Sequence, residues 1–329
     1  MPTSRRPPQD LTGDRRRWVR FAWRRALRLA VSVWVLVTAS FLMIHLVPGD
    51  PVRAALGLTA DPALVEATRA NLGLDLPMWT QYWNYLTNLV QGDMGTSIIT
   101  RLPVAQTIAS RLPDTALLAV TAFAVAAVVA VPIGTSVAVL TRRGRHRGLE
   151  LGFAGSSVVL AAIPDFLMGV LLVWVFAVSL QWLPVAGAER AASYVLPVLA
   201  LALGPAAILA RIVRLEMLAV LEADFVRTAR AKRLSPVRVN LGHALPNAVT
   251  ASLTVGGLLL GGMVAGTVLV ESVFAWPGLG SVMVQSILVK DYPLVQGIVL
   301  VYGIGVLVVN TCVDVALGVL DPRSAVAES

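Results

Sequence analysis

Residues 115–141 read Thr-Ala-Leu-Leu-Ala-Val-Thr-Ala-Phe-Ala-Val-Ala-Ala-Val-Val-Ala-Val-Pro-Ile-Gly-Thr-Ser-Val-Ala-Val-Leu-Thr, without one Asp, Glu, Lys or Arg. A bilayer core about 30 Å thick takes about 20 apolar residues to cross as a helix, so this stretch is long enough to span. Five more runs of the same kind lie around it. The expected spans are 29–47, 115–140, 151–180, 194–213, 248–270 and 293–315. The third is interrupted at Pro164-Asp165 and reads as one tilted, Pro-kinked helix. The fold class expected is an all-α polytopic membrane protein with six transmembrane helices. Composition agrees: over 329 residues, 57% are hydrophobic and 14% charged, against about a quarter charged in a soluble domain. Disordered, collagen-like and disulfide-rich classes are excluded, the last because Cys312 is the only cysteine.

Six spans put both termini on one side, and the basic residues say which. The tail 1–28 holds nine arginines, and the 141–150 turn holds Arg142, Arg143, Arg145 and Arg147. Segment 211–247 adds six arginines and Lys232, and Arg323 follows in the tail 321–329. The other face carries only Arg53, Arg69, Arg101, Arg111, Arg190 and Lys290. The positive-inside bias therefore predicts cytoplasmic N- and C-termini, and the net charge of +8 reads as topology rather than nucleic-acid binding. The first run is longer than a signal-peptide core and ends at Pro48-Gly49-Asp50-Pro51, so it is expected to stay as a span. Segment 48–114 then lies outside. Asp61-Pro62 opens a short helix there, Gly73 ends it, and Pro77 opens another carrying Trp79, Tyr82, Trp83 and Tyr85, a local core or interfacial belt.

The chain has two lysines. Neither Lys232 nor Lys290 follows a glycine, so neither serves a P-loop. His45, His146 and His243 are scattered without metal-ligand spacing, and no metal is expected. Ser136, in Gly134-Thr135-Ser136-Val137-Ala138, is a weak candidate for an intramembrane protease nucleophile; small residues in mid-span more often serve helix packing. Asp165 is the main exception to apolarity. A mid-bilayer carboxylate costs about 2.5–3.5 kcal/mol on insertion scales, so it reads either as a cation contact along a translocation route or as a residue solvated at the Pro164 kink. With Pro164 it is also the feature that fits an ion-gradient-driven secondary transporter. Asp314, at the inner end of the last run, has a structural reading. Gly257–Gly261 and Gly262–Gly266 are Gly-x-x-x-Gly pairs that predict close helix packing, within the chain or with another subunit.

The inside segment 214–247 predicts two short helices with a tight corner. Asp224 caps one over 225–233, and Ser235 caps the next with Pro236 at its first position. Phe225, Val226 and Ala229 supply an apolar face, and Arg227, Arg230 and Arg233 a charged one. A DNA-reading helix-turn-helix is disfavoured because the element is tethered between two spans. The reading is a knob that fits a groove of a cytosolic partner.

This loop resembles the "EAA" loop of binding-protein-dependent ABC importer permeases, roughly Glu-Ala-Ala, three residues, Gly, nine residues, Ile-x-Leu-Pro. Arg227-Thr228-Ala229 stands where Glu-Ala-Ala would, Arg230-Ala231-Lys232 follows, Arg233 takes the glycine position, and His243-Ala244-Leu245-Pro246 ends the motif. The form is similar to the dipeptide/oligopeptide permease B branch. The likeness runs over about 25–323 through Pro48-Gly49-Asp50-Pro51, Leu72-Gly73-Leu74-Asp75, Gly92-Asp93-Met94-Gly95-Thr96-Ser97 and Arg111-Leu112-Pro113-Asp114-Thr115. It continues through Glu271-Ser272-Val273-Phe274, Pro277-Gly278-Leu279-Gly280, Asp291-Tyr292-Pro293 and Asp321-Pro322-Arg323. Two departures stand out: Arg233 replaces the loop glycine, and Asp165 replaces a small hydroxyl residue.

The resemblance implies a type I ABC importer permease in the bacterial inner membrane, carrying peptides and doing no covalent chemistry. The implied partners are a second related permease, two cytosolic ATPases that bind the ATP and Mg, and an extracytoplasmic substrate-binding protein. The 224–246 loop would dock on an ATPase, and segment 48–114 with the 271–293 loop would meet the binding protein. The implied division is a first helix plus outer segment over 29–114 and a permease core over 115–320.

Overall fold

The punctuation of segment 48–114 acts where the sequence puts it. Asp61 Oδ1 accepts the Ala63 amide at 2.9 Å, with Pro62 at the first helical position. Gly73 takes φ +66 and closes the helix end, its amide bonding Ala70 O while Leu74 N reaches back to Arg69 O. The computed structural model describes residues 11–46, 49–57 and 59–320. Pro48, the tail 1–10 and the tail 321–329 with Arg323 lie outside the described residues.

Among the described residues twelve α-helices follow in order: α1 (Leu11–Leu46), α2 (Pro51–Leu56), α3 (Pro62–Asn71), α4 (Met78–Val90), α5 (Val104–Thr141), α6 (Arg147–Ala162), α7 (Asp165–Leu172), α8 (Val195–Glu222), α9 (Asp224–Ala231), α10 (Leu245–Val273), α11 (Leu279–Leu288) and α12 (Tyr292–Leu320). Among the described residues the extended structure is a single bridge, Thr96 to Pro103. Five helices are long and apolar enough to cross a membrane: Trp23–Leu46, Val104–Gly144, Ala191–Glu222, Val255–Val273 and Tyr292–Val315. The bent pair α6–α7 makes a sixth if it counts as one span.

That pair corrects the expectation of one kinked helix. α6 and the 165–179 segment are bent by 100°. Proline forces its predecessor out of the helical region, and Ile163 is extended at φ −78, ψ 122. The chain then restarts at Asp165 and continues from α7 into π-helical turns, Val173–Ser179. α7 docks on α8 and α10, where Gly169 admits the Phe274 ring; a Cβ there would lie 3.0 Å from Phe274 Cε2.

α5 and α8 form the centre of the bundle, with α10 packed on both. Gly134 is why α5 and α8 approach so closely: a Cβ on it would lie 2.5 Å from Ala210 O. Gly257 and Gly261 serve α12 in the same way, a Cβ at Gly257 falling 2.2 Å from Val313 Cγ1. That pair is an internal seam. Gly262–Gly266 is not one stripe, since Gly262 faces open space while Gly266 faces Asp165 and Leu201.

α1 lies against α12. Ser40 Oγ donates to Gln296 O at 3.1 Å, and Gln296 Nε2 donates to Ser40 O at 2.9 Å. At the other end Arg25 of α1 pairs with Asp314 of α12. The aromatic cluster of α4 divides. Tyr82 and Tyr85 pack on Phe41, at ring distances of 5.2 and 5.7 Å, while Trp79 and Trp83 remain 67% and 49% exposed.

Candidate functional site

At the basic end of the bundle α8 runs to Glu222, and Ala223, extended at ψ 151, turns the chain into α9. Asp224 is the first helical residue rather than the cap. Its Oδ1 accepts from Arg227 Nη1 at 3.2 Å, and Thr228 Oγ1 donates to its carbonyl at 3.1 Å. Val226 is 0% and Ala229 8% exposed, packed against Met217, Leu221 and Val239. These two are three residues apart and share one helix face. Phe225 falls to the flank and is 46% exposed, so it is not part of the buried face the sequence suggested. Arg230, four residues after Val226, is turned inward and half-buried. The outward face is Phe225, Arg227, Thr228, Ala231 and Lys232.

The corner that follows has a defined geometry. Arg233 N bonds Arg230 O at 2.9 Å and Leu234 N bonds Ala229 O at 3.4 Å, the paired closure of a helix that ends on a left-handed residue. That residue is Arg233, at φ +56, so the backbone keeps the conformation a glycine would take. Ser235 caps the next helix as expected, its Oγ accepting the Arg238 amide at 3.4 Å. Arg238–Ala244 are π-helical and run directly into α10 through Leu245 and Pro246. Leu245 and His243 are partly buried, and Leu245 packs against the core formed by Met217, Leu221 and Val239, not on the outward face.

The 271–291 motif is turned inward. Glu271 and Trp276 are 0% exposed, and Phe274 and Asp291 are 1%. Glu271 Oε2 accepts the amides of Gly280 at 2.6 Å and Ser281 at 3.2 Å, so its carboxylate closes the N-terminus of α11. Gly278 and Gly280 leave the room: a Cβ on Gly278 would fall 2.3 Å from Glu271 Oε2, and one on Gly280 2.5 Å from Val268 Cα. Pro277 O accepts from Arg111 Nη1 at 3.3 Å, and Trp276 Nε1 donates to Asp114 O at 3.2 Å. Asp291 holds the outer segment by accepting from Ser97 Oγ and from the Ile98 amide, the latter at 3.1 Å. These side chains form a clasp inside the chain. The outward face of this region is Gln285 and residues 287–290. The Ser97–Asp291 bond went unseen in the sequence because its two halves lie 194 residues apart.

Asp165 is half-buried between two other helices. Its Oδ1 lies 3.6 Å from where a Cβ on Gly204 of α8 would stand, and its Oδ2 2.9 Å from one on Gly266 of α10. Ser136 is exposed on α5. Among the described residues no cluster of His, Cys, Asp and Glu has the makings of a metal site.

The inner-membrane components of binding-protein-dependent transport systems match residues 130–326, and the N-terminal domain of such components matches residues 18–119. The chain belongs to this family. The permease is 39% identical over 299 residues to the glutathione transport system permease protein GsiC of Escherichia coli O6:H1, covering 91% of this chain and 96% of that one. It is 40% identical over 300 residues to the GsiC protein of Pectobacterium atrosepticum, covering 91% and 96%. A crystal structure of an amino acid ABC transporter with histidines aligns with a TM-score of 0.48 at 17% identity, covering 64% of this chain and 93% of that one. The permease is thus a multi-pass ABC importer subunit, which overturns both the ion-gradient and the protease readings.

Proposed function

We propose that the permease forms half of the pathway of an ATP-driven importer for short peptides of glutathione size. It works beside a second permease, two cytosolic ATPases that hold ATP and Mg, and an extracytoplasmic binding protein that delivers the cargo. The cargo reading rests on likeness to permeases named for glutathione transport over nine-tenths of the chain. Both termini then face the cytoplasm, in keeping with the arginine bias.

The observation that carries the coupling role is the α9 elbow. A short helix leaves the end of α8, buries Val226 and Ala229, and offers Phe225 and Arg227 outward. It is joined through 235–244 to α10 without a flexible linker. A partner gripping Phe225 would therefore move α8 and α10 as stiff levers, one arrangement exchanging for another. Asp165, at the break between α6 and α7, is our candidate for a pathway residue.

The test is reconstitution with the cognate ATPases and binding protein. Phe225→Asp should abolish co-purification of the ATPases while the permease still inserts. Retained co-purification and uptake would refute the elbow's role. Cargo is read separately, with wild-type complex and labelled glutathione against a labelled dipeptide. Glutathione uptake that is absent while the dipeptide moves would correct the cargo and leave the coupling standing.

A further inference from the structure

Beside the elbow, four arginines converge on one cleft of about 430 Å³. Arg142, Arg143 and Arg145 come from the turn after α5, and Arg230 comes from the inward side of α9, over a floor of Leu221 and Val239. No Asp or Glu lines the cleft, and Glu222 at the end of α8 is a single acid near Arg142 against four arginines. A topological bias places arginines on this side of the membrane, but it does not require that two separate elements aim them at one point. Like charges brought together repel unless an anion lies between them.

Three details show that the turn holds them there. Arg142 is anchored, its Nη2 donating to Leu221 O at 2.9 Å, while its Nε is buried with no hydrogen-bond partner. Arg143 and His146 both take the left-handed conformation, at φ +59 and +51, which is unfavourable for a residue with a Cβ. His146 Nδ1 lies 3.0 Å from Leu140 O, which requires the Nδ1–H tautomer and fixes the turn. Strain of this kind persists where the surroundings demand a particular side-chain placement. Arg143, Arg145 and Arg230 form no ion pair among the described residues, whereas nearby Arg214 is paired with Glu150 at 2.6 Å.

We infer that the cleft binds a phosphate group, held by guanidinium forks from both the α5–α6 turn and the α9 elbow. Guanidinium is suited to this because its fixed donors match phosphate oxygens two at a time. The volume is many times the roughly 30 Å³ of a water molecule, so it takes an organic phosphate as well as the bare ion. Two sources carry that chemistry at this level of the molecule: the headgroup of an anionic phospholipid in the inner leaflet, and soluble phosphate. In either case the bound group ties α9 to the end of α5. The site stands on the geometry alone; only its effect on transport rests on the function proposed above.

The experiment uses the full chain in nanodiscs and reads amide hydrogen exchange over 142–147 and 229–234. One arm compares phosphatidylcholine discs with discs containing phosphatidylglycerol. The other keeps phosphatidylcholine and adds inorganic phosphate against chloride at equal ionic strength. Exchange should slow about tenfold in at least one arm, since several basic contacts act on one anion and are partly screened by solvent. The lipid arm alone assigns a headgroup, and the phosphate arm alone assigns a soluble ligand. Arg143→Gln with Arg145→Gln should remove the response. Arg147→Gln, in the same turn but outside the cleft, should keep it and shows that charge number is not the cause. No slowing in either arm, equal slowing with chloride, an unchanged response in the double variant, or slowing only when an ATPase is added would each overturn the assignment.

Discussion

Replacing Arg233 with glycine should stabilise the elbow. The residue holds φ +56 and makes no ion pair among the described residues, and it is exposed, so the substitution removes little packing. A residue with a Cβ costs about 1–2 kcal/mol in the left-handed region. Glycine lifts that cost but loses about 0.5–1 kcal/mol to its freer unfolded chain. From the middle of each range the net gain is about 0.75 kcal/mol, or about three- to fourfold in a local opening equilibrium. The amides to follow are Arg233 and Leu234, because their bonds to Arg230 O and Ala229 O exist only while the corner is closed. Hydrogen exchange of the purified permease should slow there by that factor in Arg233→Gly and stay near wild type in Arg233→Ala, which keeps the Cβ. Faster exchange in Arg233→Gly, or equal slowing in Arg233→Ala, would refute the strain argument.

Other outcomes follow from the same contacts. Glu271→Gln keeps an acceptor for Gly280 and Ser281 but removes the charge from the α11 N-terminus, and should cost about 1–2 kcal/mol, read as earlier thermal unfolding in detergent; an unchanged midpoint would remove Glu271 from the clasp. Gly257→Val, whose side chain meets Val313, should cost about 1–3 kcal/mol through overpacking, read as a lower thermal midpoint in detergent. Burial pushes the Asp50 carboxyl upward, but the Arg69 guanidinium and the Val52 and Arg53 amides outweigh it, and it titrates below the usual carboxylate range. Its contribution is therefore complete above the unfolded value of about 3.9 and is lost as pH falls through the lower folded value. Exchange over 50–71 should accelerate in that acid window in wild type and not in Asp50→Asn.

What could be read in advance was what depends on neighbours in the chain. The run 115–141 had to be a span because its length and apolarity are local properties, and Asp61-Pro62, Gly73 and Ser235 punctuate through bonds two to five residues away. Pro164 announced a break, but not a bend of 100°, which depends on α7 finding Gly204 and Gly266 on other helices. In the sequence Glu271 belongs to a 271–293 loop expected to meet a binding protein; its partners belong to α11, and only folding brings them to it. On α9 the residue types were legible and the facing was not, because Phe225 and Arg230 exchange places once Val226 and Ala229 choose the core.

The seam between α1 and α12 bears on how the polypeptide is made. Ser40 and Gln296 exchange hydrogen bonds across 256 residues, and Arg25 meets Asp314 near the end of the last helix. α1 is therefore synthesised well before the α12 partner that its seam requires. Until then α1 has the rings of Tyr82 and Tyr85 against Phe41 but neither Gln296 nor Asp314, and a nascent chain halted before α12 would leave that flank without its partners.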